Sequence, residues 1–179
     1  MKELSLNILD IVENSVKAGA TLTEILLEES DETLTLKIKD DGCGMSREIV
    51  ESVINPFYTT RTTRNVGLGI PLLKMAAEQT GGGIDIVSDI SEQNHGTTVT
   101  ATFNKNHLDF TPLGDVTSSV VTLIQGHPDT DFLFSHTKGE SEVRLDTREL
   151  REVLEGVPLD TYDVIKWIEG NLTEQYDQF

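Results

Sequence analysis

The chain has 179 residues, with 37% hydrophobic side chains and a formal net charge of −17. That length suits one domain, or one domain with an appendage, and is enough to bury a core. The acidity argues against a broad nucleic-acid or anionic-membrane surface, no apolar run approaches membrane-span length, and the single cysteine, Cys43, excludes an internal disulfide.

In chain order, residues 3–18 carry Leu4, Ile8, Ile11, Val12 and Val16 at helical spacing, and Gly19 stops the stripe. Residues 24–29 and 33–39 read as two strands joined by a short polar turn. In the second, Leu34, Leu36 and Ile38 alternate with polar residues, which predicts one buried face. Ser46 is placed to cap a helix running to about residue 54, with Glu48 in its first turn. Residues 57–66 have neither period and read as a loop. A helix over 70–80, closed by three glycines, and a second strand pair over 84–90 and 97–103 follow. In the remainder, the pattern predicts a helix over 112–124, a hairpin over 131–136 and 142–145, a helix capped by Asp146 or Thr147 up to 154, and a last helix over 161–172. The N-terminal residues lack the pattern of a signal peptide, and a reducing, cytoplasmic setting is the expectation.

Four short patches recur in a fixed order: Asp10-Ile-Val-Glu-Asn14, Asp40-Asp41-Gly42-Cys43-Gly44, Gly67-Leu68-Gly69 and Gly96-Thr97. Asp10 and Asn14 stand one helical turn apart and share a face. Asp40 closes an alternating strand, where a carboxylate can accept from an amine and glycines allow close backbone approach. Gly67-Leu68-Gly69 leads into a helix whose N-terminus would favour phosphate oxygens. No G-x-x-x-x-G-K-[ST] run exists, which excludes the Walker route.

Together these strings resemble the Bergerat nucleotide site of the GHKL superfamily, which includes type-II topoisomerases, 90-kDa chaperones, histidine kinases and MutL-type ATPases. Residues 13–20 are similar to the mismatch-repair version. Asn55-Pro56-Phe57-Tyr58-Thr59-Thr60-Arg61 is similar to the box before the ATP lid of histidine kinases, usually E-P-F-x-T-T-K. The resemblance implies an α+β two-layer sandwich, a mixed or antiparallel sheet with helices on one face, over residues 1–104; residues 105–179 match no such motif, and their own patterning, without a low-complexity linker, reads as a C-terminal αββαα extension packed on it. The resemblance also implies ATP and Mg²⁺ as cofactors, with Asn14 as metal ligand and Asp10 as catalytic base. Asp40 would read the adenine, helped by the Thr97 hydroxyl. Lys17, Gly42, Gly44, Met45, Phe57, Thr60, Arg61, Gly67, Leu68, Gly69 and Ile70 would complete the nucleotide site, and Arg64 offers a second lid cation. Cys43 is expected as a small buried filler, and His127 and His136 at the surface.

Position 10 departs from the mismatch-repair enzymes, which carry glutamate there. No histidine precedes Asp10, so self-phosphorylation of the histidine-kinase type is not expected. Three readings stay open: a stand-alone serine/threonine protein kinase of the anti-sigma-factor type, a slow ATPase switch, or a non-catalytic nucleotide-binding module. The expected partners are an adenine nucleotide and a protein engaged through 105–179, with no nucleic acid and no membrane. A homodimer is also admitted.

Overall fold

The computed structural model describes residues 3–55 and 68–179. In chain order the elements are α1 (Leu4–Lys17), β1 (Leu22–Glu29), β2 (Thr33–Asp40), α2 (Arg47–Ile54), α3 (Gly69–Gln79), β3 (Gly83–Asp89), β4 (Gly96–Asn104), α4 (Val116–Gly126), β5 (Asp131–Lys138), β6 (Ser141–Asp146), α5 (Thr147–Leu154) and α6 (Tyr162–Asp177). The strands form one mixed sheet in the order β3-β4-β2-β1-β5-β6. All its pairings are antiparallel except β1 with β5, which run parallel from Leu22↔Asp131 to Glu29↔Lys138.

Period-two patterning decides the two faces. Ile25, Leu27, Leu34, Leu36, Ile38, Val99, Ala101, Phe103, Phe132 and Phe134 are buried. They meet the apolar stripe of α1 (Leu4, Ile8, Ile11, Val12) and residues of α3, α4 and α6 in one continuous core. Burying each large aliphatic side chain stabilises the fold by about 1.5–3 kcal/mol. On the opposite face Glu24 and Lys39 are cross-strand neighbours and pair at 3.4 Å. The result is the expected sheet with helices on one face, here lengthened by β5 and β6.

Two helix boundaries differ from the sequence expectation. Residues 112–115 are not helical: α4 starts at Val116, where the Asp115 carboxylate accepts from the Ser118 amide at 2.9 Å. Upstream, the Leu4 and Ser5 amides donate to the Pro112 and Leu113 carbonyls at 2.9 and 2.8 Å. The N-terminus of α1 has no side-chain cap, so this segment satisfies amides that have no partner within the helix. Helix α6 runs on to Asp177 because its last turns have partners. Gln175 exchanges hydrogen bonds with the Arg144 backbone at 2.8 and 3.0 Å, closing part of the outer edge of β6.

His136 is also not a surface residue; it is 2% exposed. Its Nε2 lies 3.1 Å from Glu29 Oε2 and its Nδ1 2.9 Å from the Tyr176 hydroxyl, with the Phe179 ring centroid at 4.5 Å. Burial depresses the His136 pKa below 6.5 against the opposing pull of Glu29. Burial also works against the Glu29 charge, but hydrogen bonds from Lys105 and His136, and the nearby Lys138 charge, hold its pKa below the usual value. Burial and the Glu29 charge push the Tyr176 phenol up, which keeps it a donor. Neutral His136 then donates to Glu29 and accepts from Tyr176.

Because the unfolded chain takes up a proton on this histidine below pH 6.5, stability is complete above that pH and declines as the pH falls through the depressed folded value. The urea midpoint is expected to drop between pH 7 and 5.5, and His136→Gln is expected to lose that part of the slope. An unchanged slope in the variant would locate the titrating group elsewhere.

Candidate nucleotide site

Between α1, β2, β4 and the start of α3 lies a cavity of about 790 Å³. This is within the range of small-molecule sites, roughly 300–1,000 Å³. Asn14, Lys17, Asp40, Gly44, Met45, Ile70 and Thr97 line it, as the sequence reading expects; Ile11, Ser15, Ala18, Cys43, Ile49 and Val99 complete the wall.

Asp40 ends β2, in register with Thr97 on β4, and shares the helix-covered face with Ile38. Among the described residues three donors hold its carboxylate. The Ser15 hydroxyl reaches Oδ2 at 2.6 Å, and the Gly42 and Thr97 amides reach Oδ1 at 2.9 and 3.3 Å. Neighbouring Asp41 turns away. It accepts from the Thr21 amide and hydroxyl and from the Leu22 amide. Burial opposes its charge, but the Leu22 and Thr21 donors prevail and hold its pKa below the usual value. Asp41 thus ties the start of β1, leaving Asp40 for the cavity.

The Thr97 hydroxyl pairs directly with the Ser88 hydroxyl at 2.7 Å. Ser88 also accepts from the Met45 amide at 2.7 Å and donates to the Gly96 carbonyl at 3.1 Å, so it pins the glycine loop to β3 and β4. A hydroxyl that reaches Asp40 directly comes from Ser15, which the sequence reading missed. The available signal was a small polar residue one turn after Ile11 on the buried stripe of α1.

Close packing accounts for the glycines. A Cβ on Gly42 would lie 2.9 Å from the Ala18 Cβ, and a Cβ on Gly44, at φ +74°, would collide with the Asp89 carbonyl. The loop therefore lies directly on the end of α1, with the Cys43 amide donating to the Ala18 carbonyl at 2.9 Å and a His95 ring nitrogen 2.7 Å from the Gly42 carbonyl. Cys43 itself is exposed, not the buried filler expected, and lies in the cavity wall.

At the other end, Asn14 lines the cavity, and its buried Nδ2 has no protein hydrogen-bond partner among the described residues. Lys17 is exposed on the same wall. Asp10 is exposed but does not line the cavity; it packs against Gly69, whose missing Cβ lets α3 approach to within contact of the Asp10 Cβ. Leu68, 70% exposed, precedes α3 without a side-chain cap, so the first amides of that helix receive no hydrogen bond from it. Phe57, Thr60, Arg61, Arg64 and Gly67 lie outside the described residues.

Among the described residues no group of three His, Cys, Asp or Glu could hold a metal. A divalent cation here would need the neutral oxygen of Asn14 together with oxygens from a ligand and water. That donor set fits Mg²⁺, which keeps several waters and is completed by phosphates.

Comparison with known proteins agrees with this geometry. Residues 2–107 match the family described as histidine kinase-, DNA gyrase B- and HSP90-like ATPase. The heme sensor protein HssS of Staphylococcus saprophyticus is 35% identical over 99 residues, covering 54% of this chain and 21% of that protein. The sensor histidine kinase YvrG of Bacillus subtilis is 32% identical over 102 residues, covering 54% and 17%. The chain thus spans about a fifth of the length of these relatives. Among solved structures, the N-terminal domain of a DNA repair protein superposes with a TM-score of 0.57 at 17% identity, covering 82% of this chain and 53% of that one. The Aquifex aeolicus MutL ATPase domain complexed with ADP gives 0.50 at 16% identity, covering 87% and 70%. These likenesses extend the shared fold beyond residue 107. With a family match across 2–107 and an acid held at the end of β2 beside the Asn14 carboxamide of α1 in one cavity, this chain belongs to the histidine kinase-, DNA gyrase B- and HSP90-like ATPase family.

Proposed function

We propose that the chain binds Mg·ATP in this cavity and transfers the γ-phosphoryl group to a serine or threonine hydroxyl of a partner protein, in the manner of the anti-sigma-factor kinases. The observation that carries the reading is the placement, in the lining of one cavity, of a fixed carboxylate (Asp40) and the carboxamide of Asn14, whose nitrogen has no protein partner among the described residues. Asp40, preset by three donors, accepts from the adenine amine without reorganising. The Gly42–Gly44 backbone passes close to the base. Lys17 and the first amides of α3 would face the phosphate chain, and Asn14 would hold Mg²⁺ through its amide oxygen. When bound, the cation neutralises phosphate charge. Asp10, exposed beside Gly69 one turn before Asn14, accepts the hydroxyl proton as the new oxygen–phosphorus bond forms and ADP departs. We place this activity in the cytoplasm, where the exposed Cys43 thiol stays reduced.

Asp10→Asn is expected to slow label transfer from γ-labelled ATP to protein about 100-fold, with ADP affinity within about threefold of wild type. Asn14→Ala is expected to abolish the gain in nucleotide affinity on adding Mg²⁺. Full transfer by Asp10→Asn would remove Asp10 as the base. Free phosphate released with no labelled protein would replace the kinase reading by an ATPase switch.

A further inference from the structure

The last two helices leave an apolar groove open to solvent. Leu150, Val153 and Leu154 stand at i, i+3 and i+4 on α5, one face of that helix. Val164 and Trp167 on α6 form the opposite wall of a cleft of about 390 Å³, with Asp163 at its edge. Val153 is 80% exposed and Trp167 54%. Nothing in the nucleotide reading uses these residues, and the cleft shares no lining residue with the nucleotide cavity.

The charges around it are unbalanced. Residues 105–179 carry 15 Asp and Glu against 6 Lys and Arg, a net −9. All six cations are already in ion pairs within the chain. Those closest in sequence to the groove are Arg148 with Asp146, Arg151 with Asp131, and Lys166 with Glu169. Glu152 on α5, Glu155 and Asp160 in the connection to α6, and Asp163 in the first turn of α6 have no ion-pair partner among the described residues. An apolar cleft with uncompensated Asp163 at its edge, and uncompensated Glu155 and Asp160 in the chain that joins its two walls, is complementary to an apolar ridge flanked by cations. A second copy of this chain would bring acid against acid, and an anionic lipid surface would be repelled in the same way.

We infer that the groove between α5 and α6 docks a basic amphipathic helix of a partner protein. Its large apolar side chains enter beside Val153 and Trp167, and its Lys or Arg residues face Asp163 at the cleft edge and Glu155 and Asp160 in the connection between the two helices. A third helix laid along two others is the helix-in-groove mode, read by apolar anchors at i, i+3, i+4 and i+7.

Trp167 is the only tryptophan, so its emission reports on the groove. The probe is a synthetic 20-residue amphipathic peptide with leucines on one face and lysines flanking them; the control keeps the leucines and replaces every lysine with glutamate. The lysine peptide is expected to shift Trp167 emission to shorter wavelength in a saturable titration, about tenfold more weakly when salt is raised from 0.05 to about 0.5 M. Val153→Asp, and separately the double variant Glu155→Lys with Asp163→Lys, are each expected to weaken binding about tenfold or more. These side chains are exposed, so the folds should survive, which circular dichroism and ADP binding by the same variants would verify. Equal binding of the glutamate peptide, unchanged emission with the lysine peptide, or unaltered affinity in the charge-reversed variant would overturn the inference. So would self-association through this face in sedimentation. Failure of ADP binding with the peptide response intact would count against the nucleotide reading alone.

Discussion

Asp40→Asn is expected to lower ADP affinity about 100-fold, near 2–3 kcal/mol, while moving unfolding stability by less than about 1 kcal/mol. The two readouts separate because of how the carboxylate is held. Oδ1 accepts two backbone amides, from Gly42 and Thr97, so the asparagine carbonyl takes that place. The new NH₂ then falls at the Oδ2 position, where its partner is the Ser15 hydroxyl, a group that can rotate to accept instead of donate. The protein-side bonds survive. What disappears is the acceptor for the adenine amine, replaced by a donor facing a donor. Calorimetric titration with ADP and urea denaturation of the same preparation would measure both. Affinity within threefold of wild type would mean that Asp40 does not read the base.

Gly96→Ala carries the largest expected loss of stability, about 3 kcal/mol, a sizeable share of the 5–15 kcal/mol typical of a domain. Gly96 opens β4 at φ +146°, where a Cβ would land on the Asp40 carbonyl oxygen. Relief would require β2 and β4 to separate where Asp40 and Thr97 pair, so nucleotide affinity should fall together with stability. Gly126 is the control: it ends α4 with ordinary φ and open space around its Cβ position, and Gly126→Ala is expected to stabilise by about 0.5–1 kcal/mol. A Gly96→Ala protein as stable as wild type would show that the strand ends can spread freely.

Local signals were sufficient for much of this molecule. The α1 stripe, the alternation in β2, the Ser46 cap of α2 and the Asp146 cap of α5 each depend on contacts within a few residues, and each stands where the pattern placed it. Asp40 at the end of its strand and Asn14 on α1 were legible for the same reason: motif spacing is a local property. The lid residues from Phe57 to Gly67 were named from their strings and lie outside the described residues.

Other features depended on partners distant in the chain. Asp40 is held by Ser15, 25 residues away, and the Thr97 hydroxyl goes to Ser88, which no spacing rule indicates. His136 reads as an ordinary strand histidine until Glu29, 107 residues upstream, and Tyr176 close over it. The start of α4 moved from residue 112 to 116 because the intervening carbonyls are occupied by amides of α1. Above all, the parallel union of β1 with β5 makes residues 105–179 a continuation of the sheet. Propensity and periodicity act within a turn or two of chain, and they settle which segments become helices and strands and which face of each is apolar. Which buried polar group meets which, and which strand edge receives another, is decided only when the whole chain competes for the same hydrogen-bond donors and the same interior volume.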